Sequence, residues 1–246
     1  MNIVIDQGNT LFKIGVLDGR KIIKIFYIKN LKKKLVLSIL ESYQFETGIL
    51  CSTKVFPSFL LSLLRKIPCF YEFESILSLP LFIEYKTPKT LGKDRLAASV
   101  GAWNQKPNNN LLIIDIGTAI TIDFVSKDGI YKGGNISPGP IMRLNALHNF
   151  TELLPQISQK GDIPLRGYNT ETAIRSGVME GIVHELKSYI EKYRKEENAI
   201  VFLTGSDISY FKNRLKDIVF VDKYLVIKGL NEILIYQKSK IKYKIK

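Results

Sequence analysis

Asp6-Gln7-Gly8-Asn9-Thr10 and Asp115-Ile116-Gly117-Thr118 are two copies of one device. Each follows an apolar run, Asn2 to Ile5 and Leu111 to Ile114, and each precedes a second alternating run, Leu11 to Leu17 and Ile120 to Val125. The acidic residue falls where a buried strand ends. A Gly two residues on permits a tight turn with φ > 0. Backbone N–H groups and small hydroxyls in such a turn hold phosphate oxygens, and a carboxylate beside them holds a hard cation. Aligning Asp6 with Asp115 also aligns Gly8 with Gly117. With a one-residue gap it aligns Asp18-Gly19 with Asp128-Gly129. A strand–turn–strand–turn unit repeated at about half the chain length predicts a duplicated fold, with the two turns facing each other across a cleft.

Working outward, Asn2 to Asp6, Leu11 to Leu17 and Lys21 to Ile28 read as three consecutive strands. Asn30 is placed to cap a helix from Leu31 to Tyr43, with Leu35, Val36, Ile39 and Leu40 on its inner side. Thr47 to Ser52 reads as a strand, Phe56 to Leu64 as a short helix and Cys69 to Phe73 as a further strand. A meander followed by alternating helices and strands predicts an α/β fold of mixed sheets flanked by helices. The polar loop Tyr85 to Thr90 leads to Gly92-Lys93-Asp94-Arg95, which opens a helix reaching Trp103. Asn108 to Asn110 reads as a linker, so residues 1–108 and 109–246 are the expected halves.

The second half restarts at Leu111, and Ile130 to Asn135 adds a third strand. Gly133-Gly134-Asn135-Ile136-Ser137-Pro138-Gly139-Pro140 is the densest Gly/Pro segment and suits a rigid turn at a site. A helix follows from Ile141 to Phe150, then loop from Thr151 to Tyr168. Asn169-Thr170-Glu171-Thr172 starts a long helix through Tyr193. Gly177 and Gly181 on that helix predict close packing against a neighbouring backbone, in the same chain or in a second copy. Asn198 to Leu203 is a strand with Thr204-Gly205-Ser206-Asp207 as its exit turn, where Gly205 suits the approach of a flat adenine ring. A strand from Ile218 to Val221 and a helix from Leu225 to Tyr236 complete the chain.

The 246 residues, 46% of them hydrophobic, supply a real core. No apolar run reaches the roughly 20 residues that span a bilayer. The strand-like start argues against a signal peptide, and a cytoplasmic protein is expected. Cys51 and Cys69 show no metal-ligand spacing and read as buried free thiols. His148 and His184 are too isolated for a histidine metal site. The net charge of +13 favours anionic partners. Its lysines are widely spread, densest at Lys32-Lys33-Lys34 and from Lys238 to Lys246, without aromatic interleaving in the first run. A solvated surface is the plainer reading, and no nucleic-acid partner is expected.

Asp6, Asp94 and Asp115 sit at element ends. Two carboxylates near the same phosphates require a cation between or beside them, so the turns imply a metal ion with a bound nucleotide. Asp94 lies at a helix N-terminus, where the dipole favours its ionised form. There it serves either as acceptor of a substrate hydroxyl proton in phosphoryl transfer or only as a local cap and ion-pair partner. Arg95 beside it suits bidentate phosphate or carboxylate binding. No Walker-type Gly-rich loop is present.

Together the ordered set DQGNT (6–10), Tyr85 before GKDR (92–95), DIGTAITID (115–123), GGNISPG (133–139) and NTETAIRSG (169–177) resembles the type III pantothenate kinase family over residues 2 to about 236. That family belongs with acetate kinase, sugar kinases and actin, so two RNase H-like halves are implied. The resemblance implies that ATP contacts Asp6, Gln7, Gly8, Asn9, Thr10, Leu11, Phe12 and Lys13, with Asp6 also near Mg²⁺. It implies Thr118 as an ATP contact and Asp115 as the ligand of a monovalent cation, K⁺ or NH₄⁺. Asp94 matches the proton acceptor. Tyr85, Gly92, Lys93, Asp94, Arg95 and Thr170 match pantothenate-binding positions. The implied reaction is phosphorylation of pantothenate to 4'-phosphopantothenate, the first step of coenzyme A synthesis, by a homodimer. Two positions depart from the family: Gln7 stands where an apolar residue is usual, and Ser206 where a second Gly is common. Other readings are a nucleic-acid-binding regulator on this fold, a kinase or phosphatase for another metabolite, and an RNase H-like nuclease.

Overall fold

A computed structural model describes residues 1–73, 78–206, 208–215 and 219–244, with 241–244 described by backbone alone. Asp207 and Ile218, both assigned above to local structure, lie outside the described residues. The chain forms two compact units. The first holds residues 1–108, 125–132 and 224–246, and the second holds residues 109–124 and 133–223. The first unit thus contains more than residues 1–108, because the C-terminal helix belongs to it.

In the first unit β1 (Asn2–Gln7), β2 (Phe12–Asp18) and β3 (Lys21–Ile28) form the meander. They are followed by α1 (Lys33–Ser42), β4 (Thr47–Ser52), α2 (Ser58–Leu64), β5 (Cys69–Glu72), β6 (Phe82–Ile83) and α3 (Lys93–Gln105). The sheet order is β3-β2-β1-β4-β5. β1 runs antiparallel to β2 and parallel to β4, which places Asp6 opposite both Lys13 and Cys51. One face of this sheet packs Ile3, Ile5, Ile14, Val16 and Leu50 against Val36 and Ile39 of α1 and Leu60 and Leu64 of α2. Asn30 does not cap α1. The helix begins at Lys33 with Lys32 in extended backbone at the N-cap and no side-chain cap, two residues later than a cap at Asn30 requires.

The remaining elements are β7 (Leu111–Ile116), β8 (Ala119–Val125), β9 (Ile130–Pro138), α4 (Pro140–Asn149), α5 (Thr170–Glu197), β10 (Ile200–Gly205), α6 (Ile208–Leu215), β11 (Phe220–Val221) and α7 (Leu225–Lys244). The second sheet runs β11-β10-β7-β8-β9-β6. Without β6, each sheet has the order third-second-first-fourth-fifth, so the repeated turns sit on a repeated topology. The aligned Asp-Gly turns match as well, with Gly19 at φ 56° and Gly129 at φ 75°. Both adopt the left-handed conformation that glycine tolerates. The core of the second unit joins β7, β8 and β10 to the inner face of α5 through Ile114, Ile116, Val183 and Leu186.

Two features set the positions of site-bearing elements. In the first unit α3 and α7 cross at glycines: a side chain on Gly229 would overlap the Ala97 carbonyl, and one on Gly101 the Leu225 carbonyl. Asn231 of α7 accepts from Asn2 Nδ2 (2.8 Å) and donates to the Gly19 carbonyl (2.9 Å), which ties α7 to β1. In the second unit α5 begins at a capping box: Asn169 Oδ1 accepts from the Thr172 N–H at 2.8 Å, and the Thr172 hydroxyl accepts from the Asn169 N–H. Among the described residues, a side chain built on Gly177 or Gly181 of α5 meets nothing within 4 Å outside its own stretch of helix, so neither glycine packs against another described segment of backbone.

Candidate active site

Asp6 ends β1 and is buried, 6% exposed. Burial pushes its carboxyl up to about 6. Lys13, whose ammonium lies 3.9 Å from Oδ2, pulls it down, and Asp94 pushes it up further. The first unit therefore brings Asp6, Lys13 and Asp94 into one electrostatic neighbourhood. Cys51, opposite Asp6 on β4, shares it. Burial raises the thiol well above its ordinary value, Asp6 and Asp94 raise it further, and Lys93 lowers it, so the sulfur stays protonated.

The turn after Asp6 spans Gly8 to Leu11 and is braced by the strand exit beside it. Gln7 is buried, and its Oε1 accepts from the Ser52 hydroxyl at 2.6 Å. Thr53 donates both its N–H and its hydroxyl to the Gln7 carbonyl, and Lys54 Nζ donates to the Asn9 carbonyl at 2.6 Å. A polar Gln7 is tolerated because Ser52 satisfies it. Phe12 packs edge-on against Phe56, with ring centroids 6.4 Å apart.

Gly8 and Gly117 depart from the expected geometry, as neither has positive φ. The Gly8 N–H donates to the Leu11 carbonyl and the Gly117 N–H to the Ala119 carbonyl, so both amides close their own turns. A side chain built at either glycine would meet only ordinary contacts, the nearest atom being 3.5 Å away at Gly8 and 3.8 Å at Gly117. Neither backbone conformation nor internal packing demands glycine at these two positions. Their bareness leaves room for a group outside the chain to approach the backbone.

Asp94 lies in the first turn of α3. Its Oδ1 accepts from the Arg95 N–H at 2.9 Å, and a side chain on Gly92 would come within 2.6 Å of that oxygen. Gly92 thus leaves the space into which the carboxylate folds. Arg95 is buried and Lys93 half-buried. Tyr85 follows β6 and packs edge-on against the buried Tyr131, with ring centroids 6.1 Å apart. It lines a groove of about 740 Å³ with Ile83, Glu84, Lys86, Thr87 and Lys132. Glu84 and Lys132 form an ion pair there. Gly92 to Arg95 do not line that groove.

In the second unit Asp115 is half-buried near the end of β7, opposite Thr204 of β10, and Thr118 is exposed. Two glycines press on this turn. A side chain on Gly139 would overlap the Gly117 carbonyl, and the Gly139 N–H donates to the Thr118 carbonyl at 3.0 Å. A side chain on Gly205, at φ 124°, would overlap Ile116. The Ser206 hydroxyl stands 3.9 Å from where a Gly117 side chain would begin. Thr170 is exposed as the first residue of α5. Among the described residues no three His, Cys, Asp or Glu side chains converge as a metal cluster. The Asp6 carboxylate, with Asp94 in its neighbourhood, is an oxygen donor of the kind a divalent cation takes beside nucleotide phosphates.

A family model described as type III pantothenate kinase matches residues 2–192. The chain belongs to the type III pantothenate kinase family. It is 66% identical over 245 residues to a protein of Azobacteroides pseudotrichonymphae genomovar. CFP2 named type III pantothenate kinase, covering 99% of this chain and 100% of that one. Among solved structures, a Campylobacter jejuni protein described as a conserved Baf family transcriptional activator superposes with a TM-score of 0.63 at 21% identity, covering 96% of this chain and 99% of the other. A Cytophaga hutchinsonii ATCC 33406 protein described as a sugar kinase superposes with a TM-score of 0.51 at 13% identity, covering 96% and 99%. These two likenesses speak to the fold, which is the actin/sugar-kinase-like architecture of two RNase H-like sheets.

Three contributors to the site escaped the sequence reading. Cys51 joins Asp6 and Asp94 only through the parallel pairing of β1 with β4. The braces Ser52, Thr53 and Lys54 were signalled by a polar cluster directly after the Thr47–Ser52 strand. Gly139 lies in the Gly/Pro-dense segment that reads as a rigid turn, but its contact with Gly117 is a tertiary one.

Proposed function

We propose that this family member performs its reaction with Asp94 as proton acceptor. The chain is an ATP-dependent pantothenate kinase that forms 4'-phosphopantothenate, the first step of coenzyme A synthesis. The observation that carries the residue assignment is the shared neighbourhood of Asp6, Lys13 and Asp94 at the end of β1. In the proposed step the primary hydroxyl of pantothenate gives its proton to the Asp94 carboxylate as its oxygen bonds to the γ-phosphorus. The bond from that phosphorus to the β–γ bridging oxygen breaks, and ADP leaves. Protein groups contribute positioning and charge neutralisation, as phosphoryl transfer requires.

Asp6 holds Mg²⁺, which neutralises phosphate charge when bound. Lys13 and the Gly8–Phe12 segment, with Gln7 behind it, contact ATP, as does Thr118 in the second unit. Asp115 holds K⁺ or NH₄⁺. Tyr85, Gly92, Lys93, Arg95 and Thr170 bind pantothenate, Arg95 through its guanidinium and the substrate carboxylate. The open space at Gly177 and Gly181 supports a homodimer packed on α5, and a kinase that draws on the ATP pool is suited to work in the cytoplasm. Asp94→Asn tests the assignment. It keeps ADP affinity within about twofold and loses roughly 10²–10⁴-fold in kcat, the range for removing a general base. Near-normal turnover would remove Asp94 from that role.

A further inference from the structure

The turn Asp115 to Thr118 is held from behind by a strut that no substrate assignment covers. Ser137, Pro138 and Gly139 run between that turn and α5. On the turn side, Gly139 donates to the Thr118 carbonyl at 3.0 Å and abuts the Gly117 carbonyl so closely that no side chain fits. On the other side, Arg143 of α4 and Glu185 of α5 form an ion pair, each side chain 24% exposed. Glu185 Oε1 accepts from the Ser137 hydroxyl at 2.7 Å. Arg143 Nε donates to the Pro138 carbonyl at 2.7 Å, and its Nη2 donates to Ser137 Oγ at 3.3 Å and to Glu185.

We infer that Arg143 and Glu185 are positioning residues for the second phosphate turn. One guanidinium reaches three acceptors at fixed angles, a geometry that a lysine ammonium cannot reproduce. The segment is stiff enough to transmit that position. Pro138 and Pro140 flank Gly139 with fixed φ, and Gly139 itself is in extended backbone at the N-cap of α4. Loss of the ion pair frees Ser137 and Pro138, and the Gly139 contacts that hold Thr118 shift with them. The reaction chemistry, based in the first unit, is untouched. The inference rests on the assignment of Thr118 as an ATP contact.

The test is steady-state kinetics for both substrates, ADP binding by calorimetry, and thermal unfolding, for Ser137→Ala, Arg143→Lys and Glu185→Gln. Ser137→Ala is the mildest and guards against misfolding. Thr118→Ala is the reference for the turn. Glu232→Gln, which breaks the Arg20–Glu232 pair (2.7 Å) in the first unit, is the control for a merely structural ion pair. The expected result is a KM for ATP and a Kd for ADP raised about three- to tenfold in the Arg143 and Glu185 variants. Their KM for pantothenate stays within about twofold, a pattern of lost nucleotide binding. Arg143→Lys does not rescue. If Thr118→Ala raises the KM for ATP and the strut variants do not, the inference is overturned. It is also overturned if they lose stability and all kinetic constants together, or match Glu232→Gln. An unchanged Thr118→Ala enzyme would instead overturn the assignment of the turn, and the inference with it.

Discussion

Replacing Asp6 by asparagine is expected to stabilise the nucleotide-free protein while impairing it as a kinase. The buried carboxyl titrates near 6 in the folded chain against an ordinary value of 3.8. That difference corresponds to roughly 3 kcal/mol of preference for the neutral form, at 1.36 kcal/mol per pH unit. The sign follows from linkage: with the folded value above the unfolded one, the folded state holds the proton more tightly. The stability this confers is full below about pH 3.8 and is lost as pH rises through about 6. Above that point the parent chain bears a buried charge, eased by Lys13 at 3.9 Å. Asparagine has no charge to bury but forgoes the attraction to Lys13, so a net gain of ~1–3 kcal/mol is expected at pH 8. On a chain of this size that amounts to several degrees in Tm. Thermal unfolding of both proteins from pH 4.5 to 8, free of Mg²⁺ and nucleotide, reads the gap directly. The reasoning is refuted if Asp6→Asn is the less stable protein at pH 8, or if the gap does not widen between pH 4.5 and 8.

Asp115→Ala is expected to weaken cation-dependent use of ATP, seen as a flattened K⁺ activation curve; an unchanged curve assigns the cation elsewhere. Gly229→Ala forces a methyl group into the Ala97 carbonyl. It is expected to lower stability by ~1–3 kcal/mol, as overpacking does, and to reduce kcat because α3 carries Asp94. Unfolding and kinetics check both effects, and a neutral outcome would mean that the crossing does not set α3. Light scattering on the purified chain is expected to give the mass of a dimer. Gly177→Leu, which fills open space on α5, is expected to shift it toward monomer, and a monomeric parent would contradict the α5 assignment.

The features legible in the sequence were local or repeated. Asp6 and Asp115 stood out because each ends an apolar run before a short polar turn, and the matched surroundings revealed the duplication that both sheet orders repeat. Asn169 was readable as a helix start because capping chemistry is confined to a few residues. Asp94 was readable for the same reason, as an acidic residue where a helix opens. What stayed hidden was set by tertiary pairing. Gly8 and Gly117 looked like positive-φ glycines from residue type alone, yet their backbones are not left-handed and their amides close hairpin bonds. Gly101 and Gly229 lie far apart in sequence and meet only because α7 packs on α3. That contact also assigns the C-terminal helix to the first unit. Cys51 becomes a neighbour of Asp6 and Asp94 only through a parallel strand pair, and Arg143 finds Glu185 only when α4 lies against α5.

The most direct test of the account is ADP release from ATP by the purified chain with Mg²⁺, measured with and without pantothenate and with and without K⁺. The account predicts release that depends on pantothenate and rises with K⁺. Folded protein that releases no ADP on adding pantothenate, in either salt, would contradict it.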